Sequence, residues 1–337
     1  MAIRYVAPVP RKAATGRVAE VYAQSAADFG QAAFTLLSPA PDLHAAAWAL
    51  LREAELAGQA SRTDKEVVTV AVSQANECRF CIDAHTIMIH ATGEHRLAED
   101  LLHGRPIAEP RYDRLVTWAK ATRAPDAMRM AEELPFAGEH AAEFLGTALS
   151  THFANRVFSA LTDDQLIPGN LQRSQSVRRV GGMTYSRAVR RELEPGRSLA
   201  LIADGPRGAT PDWAAGTPIG SAFAALRGGA AAGAALLGPP ARDLVRTTVR
   251  DWDGTHPLAG QLDRLSATVS PADRPATAIA LHAALAPHEL TDAHVAAWRA
   301  AGGRTDGDLV RLVGFGAMSA VDRIEEGLVR SVRTTRR

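Results

Sequence analysis

Residues 61–93 read SRTDKEVVTVAVSQANECRFCIDAHTIMIHATG, and this stretch predicts two consecutive helices. A polar start at residues 61–64 precedes the apolar run of residues 67–72, and the first helix is expected to end near Asn76. The second helix begins in the segment that holds both cysteines and runs to Gly93, a residue type that favours helix C-termini. The pattern therefore predicts a helical hairpin in which one helix presents two thiols.

The composition of the whole chain also favours an all-α fold. Apolar residues make up 46% and charged residues 22%, as in an ordinary globular protein, while aromatic residues make up only 5% and alanine is abundant. The length of 337 residues suits two domains or one large one. Further helices are expected over residues 95–103, 111–123, 126–133 and 139–161.

Charge and hydropathy exclude several classes of function. A net charge of +1 argues against nucleic acid or an anionic membrane as partner. No apolar run approaches the roughly 18 to 20 residues of a membrane-spanning helix, and residues 1–12 hold no apolar core of a secretory signal. Two cysteines separated by two residues do not form a secreted disulfide framework, so a cytoplasmic location is expected.

The distribution of proline, glycine and arginine predicts three parts of the chain. Residues 1–162 form a first helical domain that carries the cysteines, and residues 163–212 form a linker that is rich in proline, glycine and basic residues. The basic runs Arg178-Arg179 and 187–191 are interpreted as a solvated face of that linker, since aromatic residues do not alternate with them. Residues 213–337 form a second domain.

The second domain reads as a degenerate repeat of the first. The sequence LLSP at residues 36–39 recurs as LLGP at 236–239, and Asp-Ala-His at 83–85 recurs at 292–294, an offset of 209 (294 minus 85). At this offset Cys78 and Cys81 fall on Pro287 and Leu290, and Glu66 falls on Pro275. The repeat thus keeps the helical frame and His294 but lacks the thiols, which predicts a structural or interface role.

Cys78, Cys81 and His85 are the candidate chemical groups, because positions i, i+3 and i+7 share one face of a helix. A thiol reacts as thiolate, and three features favour its ionisation: the start of the helix, the nearby imidazole and the second thiol. Glu66 is the candidate carboxylate that orients His85.

Each of these residues has a simpler alternative. Thr63 and Glu66 also fit a capping box, in which Glu66 reaches back to the Thr63 amide. The two cysteines could be buried apolar residues. Cys78, Cys81, His85 and Glu66 could bind zinc, although structural zinc sites usually gather ligands from two separated pairs, so neither a metal nor a cofactor is expected.

The spacing from Glu66 to Cys78, Cys81 and His85 resembles the signature of the AhpD-like alkylhydroperoxidases, which belong to the carboxymuconolactone decarboxylase superfamily. The resemblance covers residues 15–161, and residues 213–337 show only weak similarity to the same family. It implies an all-helical bundle that assembles into homo-oligomers, here a dimer or trimer of pseudo-dimeric chains. Phe80 stands where some peroxidase members have histidine, so a longer proton relay is not carried over.

The resemblance implies a thiol-dependent hydroperoxide reductase. Cys81 would attack the O–O bond, Cys78 would form the disulfide with it, Glu66 and His85 would relay the proton, and an external dithiol would reduce the pair. A decarboxylase or lyase of the same superfamily, a thiol-disulfide oxidoreductase and a non-catalytic scaffold are the alternatives.

Overall fold

The computed structural model describes residues 2–126, 134–163 and 165–335, and these residues form an all-α fold. The one β-type contact in the described part of the chain is an isolated bridge between Ile3 and Thr162. The helices are α1 (Gly16–Phe29), α2 (Pro41–Leu51), α3 (Arg62–Ala75), α4 (Arg79–Thr92), α5 (His95–Leu102), α6 (Pro110–Ala121), α7 (Ala141–Leu161), α8 (Gln175–Val189), α9 (Pro218–Ala231), α10 (Pro239–Arg250), α11 (Gln261–Ser266), α12 (Arg274–Leu285), α13 (Asp292–Arg299) and α14 (Asp306–Thr335). The all-α expectation is confirmed, and most of the helix predicted over 126–133 lies outside the described residues.

The predicted hairpin is formed by α3 and α4. The N-cap of α3 is Ser61, whose side chain accepts from the Asp64 amide, and the helix ends at Ala75. After a short turn α4 starts at Arg79 and stops at Gly93, whose φ of 105° is open to glycine at little cost. Because α3 also packs against α7, its two apolar sides are both covered and it lies in the centre of the first half.

The end of α2 supplies a feature that helix periodicity does not predict. After Leu51 the helix widens into a π-helical turn over Arg52–Leu56, and all five of its residues are buried. π-Helical turns are rare in proteins, and those that occur often lie at functional sites. The wider turn places Glu53 and Glu55 inside the fold, where Glu53 accepts from the Gly196 and Ser198 amides.

Residues 163–212 contain α8, which packs along α4. Arg178 is buried and donates to both carboxylate oxygens of Glu99, at 3.0 Å and 2.5 Å. The interpretation of this basic run as a solvated face is therefore wrong for Arg178. Its hydrogen bonds to the Glu99 carboxylate offset the cost of removing the guanidinium charge from water. Arg179 and Arg187 are exposed, as expected.

Two helices of the second half lie near the positions at which the predicted repeat places counterparts of α3 and α4. At the offset of 209, α3 (62–75) falls on residues 271–284 and α4 (79–92) falls on 288–301, where α12 (Arg274–Leu285) and α13 (Asp292–Arg299) lie. One apolar core runs through both halves, from Val6 to Leu328. The domain boundaries and the internal duplication stay predictions.

One helical stretch, Pro218–Leu236, is long and apolar enough to cross a membrane by length and composition alone. The expectation that no run has this length is wrong for α9 and the turn after it. More than half of the stretch (56%) is buried inside the fold, as in the core helix of a globular protein.

Candidate active site

Both cysteines lie at the start of α4 and are in the thiol form. Cys78 is the N-cap residue and Cys81 lies in the first turn, and both are buried. The Cys78 thiol donates to the Cys81 sulfur, with the two Sγ atoms 2.9 Å apart. The i, i+3 spacing therefore brings the sulfurs into direct contact.

Burial controls the acidity of Cys81. The absence of water around the thiol raises its pKa well above the usual value, the Cys78 contact raises it further, and a hydrogen bond from Asn155 opposes the shift. Burial therefore opposes the ionisation of Cys81 that the helix start favours. A thiolate at Cys81 requires a base that takes the proton when the reaction occurs.

His85 and Glu66 form a direct pair beside the thiols. His85 Nδ1 lies 2.7 Å from Glu66 Oε2, and Arg62 donates to Glu66 Oε1 from Nε at 2.8 Å. Burial alone would raise the pKa of Glu66, but Arg62 and His85 outweigh it and hold this pKa below the usual value. Ser61, not Thr63, is the N-cap of the helix, and Glu66 binds His85 and Arg62, so the capping-box alternative is wrong.

Glu55 is a functional candidate that the sequence reasoning missed. Its Oε1 atom lies 3.5 Å from His85 Nδ1 and 3.8 Å from Arg62, and no hydrogen bond reaches this buried atom. Burial and the adjacent Glu66 raise the pKa of Glu55 to about 7. The available signal was the charged run Arg52-Glu53-Ala54-Glu55 between Leu51 and Leu56, directly after a largely apolar helix.

The two carboxylates fix the proton on the imidazole. Burial would lower the pKa of His85, but Glu55 and Glu66 outweigh burial and raise it. Because Nδ1 faces both carboxylates, that nitrogen carries a proton and Nε2 is the atom that can exchange one. The arrangement is a histidine base oriented by carboxylates, which is a frequent partner of a nucleophilic thiol.

A cavity of about 230 Å³ lies next to these groups. Of the two cysteines, Cys81 lines it, together with His85 and Glu55. Phe80 stacks on Phe158, with ring centroids 4.7 Å apart. The other lining residues are mostly apolar: Phe29, Ala32, Ala33, Phe34, Leu36, Leu51, Ala84, Met88, Ala154 and Leu166, with the polar Gln31, Thr35, Thr69, Ser150, Thr151 and Asn155. The cavity therefore suits a small, largely apolar molecule with a polar end at Cys81.

A buried polar network holds Asn155 in place behind Cys81. Asn76 donates to Asn155 Oδ1 and to His152 Nδ1, both at 2.9 Å. Since Nδ1 of His152 accepts, its Nε2 donates to Thr122 Oγ1 at 2.8 Å, and burial keeps the imidazole neutral by lowering its pKa far below the usual value. The sequence analysis did not identify this network, because its contacts join residues 76 to 79 positions apart.

Three groups in the described residues bring histidine and carboxylate atoms within 4.8 Å of one another, and neither cysteine belongs to one. The described residues therefore do not gather the four ligands Cys78, Cys81, His85 and Glu66 that the zinc alternative needs. In the group of Glu55, Glu66 and His85, the Arg62 guanidinium already occupies Glu66 at 2.6 Å, which disfavours a cation there. The residues of the second group, Glu77, His256 and His288, are all exposed.

The remaining group contains His294, the counterpart of His85 in the predicted repeat. His282 Nε2 and His294 Nε2 both lie near Asp263 Oδ1, at 3.0 Å and 3.1 Å. His294 Nδ1 accepts from the Thr291 amide as part of a capping box, so its Nε2 carries the proton and donates to Asp263. A metal ligand needs the opposite arrangement, with the second ring nitrogen protonated. In this group His294 caps α13, and the hydrogen bonds of His282 and His294 to Asp263 join α11, α12 and α13.

Comparison with known proteins identifies the family. The model of the carboxymuconolactone decarboxylase family matches residues 42–121, which hold the π-helical turn, α3, α4 and the four predicted site residues. An alkyl hydroperoxide reductase of Mycobacterium tuberculosis is 38% identical over 330 residues, which cover 96% of this chain and 94% of that protein. The chain belongs to the AhpD-like branch of the carboxymuconolactone decarboxylase superfamily. The match to this relative extends through both halves of the chain.

Proposed function

We propose that this protein is a thiol-dependent hydroperoxide reductase that uses Cys81 as nucleophile and Cys78 as resolving cysteine. The observation that carries the proposal is one cavity lined by Cys81 and His85, with Glu66 on His85 and the second sulfur 2.9 Å from Cys81. The relative from Mycobacterium tuberculosis, named an alkyl hydroperoxide reductase, supports this reaction class.

In the first half-reaction His85 acts as the base. Its Nε2 takes the proton of the Cys81 thiol, and Glu66 stabilises the imidazolium through Nδ1. The thiolate attacks one oxygen of the hydroperoxide, the O–O bond breaks, and the imidazolium returns the proton to the departing alkoxide. Cys81 becomes a sulfenic acid and the substrate becomes an alcohol.

In the second half-reaction Cys78 attacks the sulfenic sulfur. The S–S bond forms, the S–O bond breaks, and the thiol proton leaves with the hydroxide as water. The 2.9 Å contact between the sulfurs means that no large movement precedes this step. An external dithiol then supplies two electrons and two protons, which restore both thiols.

Location and assembly follow from the same proposal. Repeated reduction of the cysteine pair suits a reducing compartment, so we propose a cytoplasmic enzyme. The exposed apolar residues Val180 and Met183 on α8 suit a contact between copies, and a homo-oligomer is proposed. Neither nucleic acid nor a membrane is a proposed partner.

Mass spectrometry after one equivalent of cumene hydroperoxide tests the function. The peptide that contains Cys78 and Cys81 should lose two hydrogens, and a dithiol should restore them. In a Cys78→Ser variant the same treatment should add one oxygen at Cys81. An unchanged mass in the wild-type peptide would refute the peroxidase reaction.

A second measurement separates the reductase from a lyase or decarboxylase of the superfamily. Cys81→Ser should abolish peroxide turnover, since the hydroxyl is a poor nucleophile toward the O–O bond, whereas a lyase should tolerate the change. The rates of reduction of a small test disulfide and of cumene hydroperoxide distinguish the hydroperoxide reductase from a thiol-disulfide oxidoreductase. The reductase should prefer the hydroperoxide, and the oxidoreductase should prefer the disulfide.

A further inference from the structure

We propose that Glu55 is a second carboxylate of the proton relay and that Glu55 and His85 hold one exchangeable proton between them. This inference rests on the proposed peroxide reduction and adds a residue to it. Its function is to let His85 accept and return the Cys81 proton while the rest of the buried site keeps a constant charge.

The first argument is the position of Glu55. It lines the same cavity as Cys81 and His85, and its Oε1 atom lies 3.5 Å from the nitrogen that Glu66 also contacts. Glu66 approaches His85 from α3, whereas Glu55 approaches from the π-helical turn after α2. Two elements therefore direct a carboxylate at one imidazole nitrogen.

The second argument is the lack of a hydrogen bond to Glu55 Oε1. This atom is buried and receives none, whereas Glu53 in the same turn is satisfied by the Gly196 and Ser198 amides. A carboxylate kept only for structure would be paired in this way. An unpaired buried oxygen beside an imidazole is typical of a group that changes its protonation during function.

The third argument is the charge of the groups that face Glu55. Arg62 binds Glu66, and Lys65 binds Glu143, so these four charges cancel in pairs. This leaves Glu55 without a cation of its own, and the group that it faces at 3.5 Å is His85, which also contacts Glu66. The pair is neutral with one proton, either as carboxylic acid beside imidazole or as carboxylate beside imidazolium.

The acidities agree with a shared proton. The pKa of Glu55 is raised to about 7, by burial and by Glu66, and the pKa of His85 is raised because Glu55 and Glu66 outweigh its burial. Ionisation of Glu55 favours protonation of His85, and the reverse holds as well. Two coupled groups of this kind lose their protons in two steps that belong to the pair, and between those steps they share one proton.

The relay then works as follows. With the shared proton on Glu55, the His85 imidazole is neutral, with a proton on Nδ1 and none on Nε2, so Nε2 can take the Cys81 proton. Glu66 remains ionised throughout because Arg62 holds it. Once the alkoxide has taken the proton from His85, the site has its initial charge and the second half-reaction begins from the same state.

The test is the pH titration of the His85 ring nitrogens by NMR in the reduced protein, assigned with a His85→Asn variant. In Glu55→Gln the midpoint of His85 should fall by about one pH unit or more, a tenfold or larger loss of proton affinity. Glu55→Asp should retain most of the wild-type midpoint. The control Glu139→Gln removes an exposed carboxylate that precedes α7 and should change nothing.

An unchanged His85 midpoint in Glu55→Gln would overturn the inference, even if peroxide turnover falls. If the variant does not fold, infrared spectroscopy of the wild-type protein decides: a protonated buried carboxyl should be present at pH 6 and lost as the pH rises through about 7, and its absence would overturn the inference. A wild-type protein that shows the coupled titration but no peroxide-dependent oxidation would refute the proposed function instead.

Discussion

Glu66→Gln is the substitution that tests most directly how the site works. The variant keeps the size of the side chain and an amide oxygen near Arg62, but it removes the charge that holds both Arg62 and His85. At 2.6 Å and an effective dielectric constant of about 20, the Arg62–Glu66 attraction is about 6 kcal/mol before desolvation is subtracted.

The expected net loss of stability is smaller than that attraction. Removing one partner of a buried ion pair costs about 3 to 5 kcal/mol. Arg62 retains some contact with water, and glutamine still accepts one hydrogen bond, so we expect about 2 to 3 kcal/mol by urea unfolding at pH 7. The pKa of Glu66 is lower in the folded state, so its contribution is present above the unfolded value of about 4.3 and is lost as the pH falls through the folded pKa. The difference between wild type and variant should therefore narrow below about pH 4.

The catalytic effect should be larger than the effect on folding. Without the carboxylate, His85 loses an interaction that raises its pKa and fixes its proton on Nδ1. We expect kcat/KM for cumene hydroperoxide to fall about 100-fold or more, the usual contribution of an oriented acid or base. A folded Glu66→Gln protein with kcat/KM within about threefold of wild type would refute the assignment of His85 as the base.

Further expectations concern the cavity and the contacts around it. Phe158→Ala should lower kcat/KM for cumene hydroperoxide more than for hydrogen peroxide, because it removes the ring that stacks on Phe80 at the cavity wall; equal losses would contradict an apolar binding role. Asn155→Ala should slow alkylation of Cys81 by iodoacetamide at fixed pH, since the Asn155 hydrogen bond is the one that lowers the pKa of this thiol, and an unchanged rate would argue that the bond is not made. Arg178→Met should destabilise the fold by about 3 kcal/mol in urea unfolding by leaving the Glu99 carboxylate buried without its charged partner. The matched exposed variant Arg179→Met should change little, and equal effects would mean that the buried pair does not hold α8.

The thiols, His85 and Glu66 could be predicted because their positions follow local rules. The apolar run of α3, the glycine after α4 and the i, i+3, i+7 spacing are all read within about thirty residues, and the structure brings the predicted groups together. The acidity of Cys81 could not be predicted in this way. Helix position favours the thiolate, but burial dominates, and burial depends on residues from other helices.

Glu55 and the burial of Arg178 on α8 were missed for a related reason. Glu55 becomes a site residue through the π-helical turn, which places it inside the fold and which periodicity of 3.6 residues does not foresee. Residues 163–212 have the composition of a linker, yet Arg178 meets Glu99, a residue 79 positions earlier in the chain. Composition reports what a segment contains, whereas its burial depends on the partners that the fold provides.

The contacts of residues 165–189 bear on how this chain can be divided. Leu166 lines the cavity, Gln172 donates to Asp83 in α4 at 3.1 Å, and α8 lies along the outer side of the cysteine helix. Cutting the gene after residue 162 to isolate the thiol-bearing half would remove one wall of the cavity and expose α4 to water. Such a fragment would hold Cys78, Cys81, His85 and Glu66 without the surroundings that set their acidities, so its inactivity would say nothing about the intact protein. A truncated chain that is to keep the cavity intact must therefore include α8, which ends at Val189.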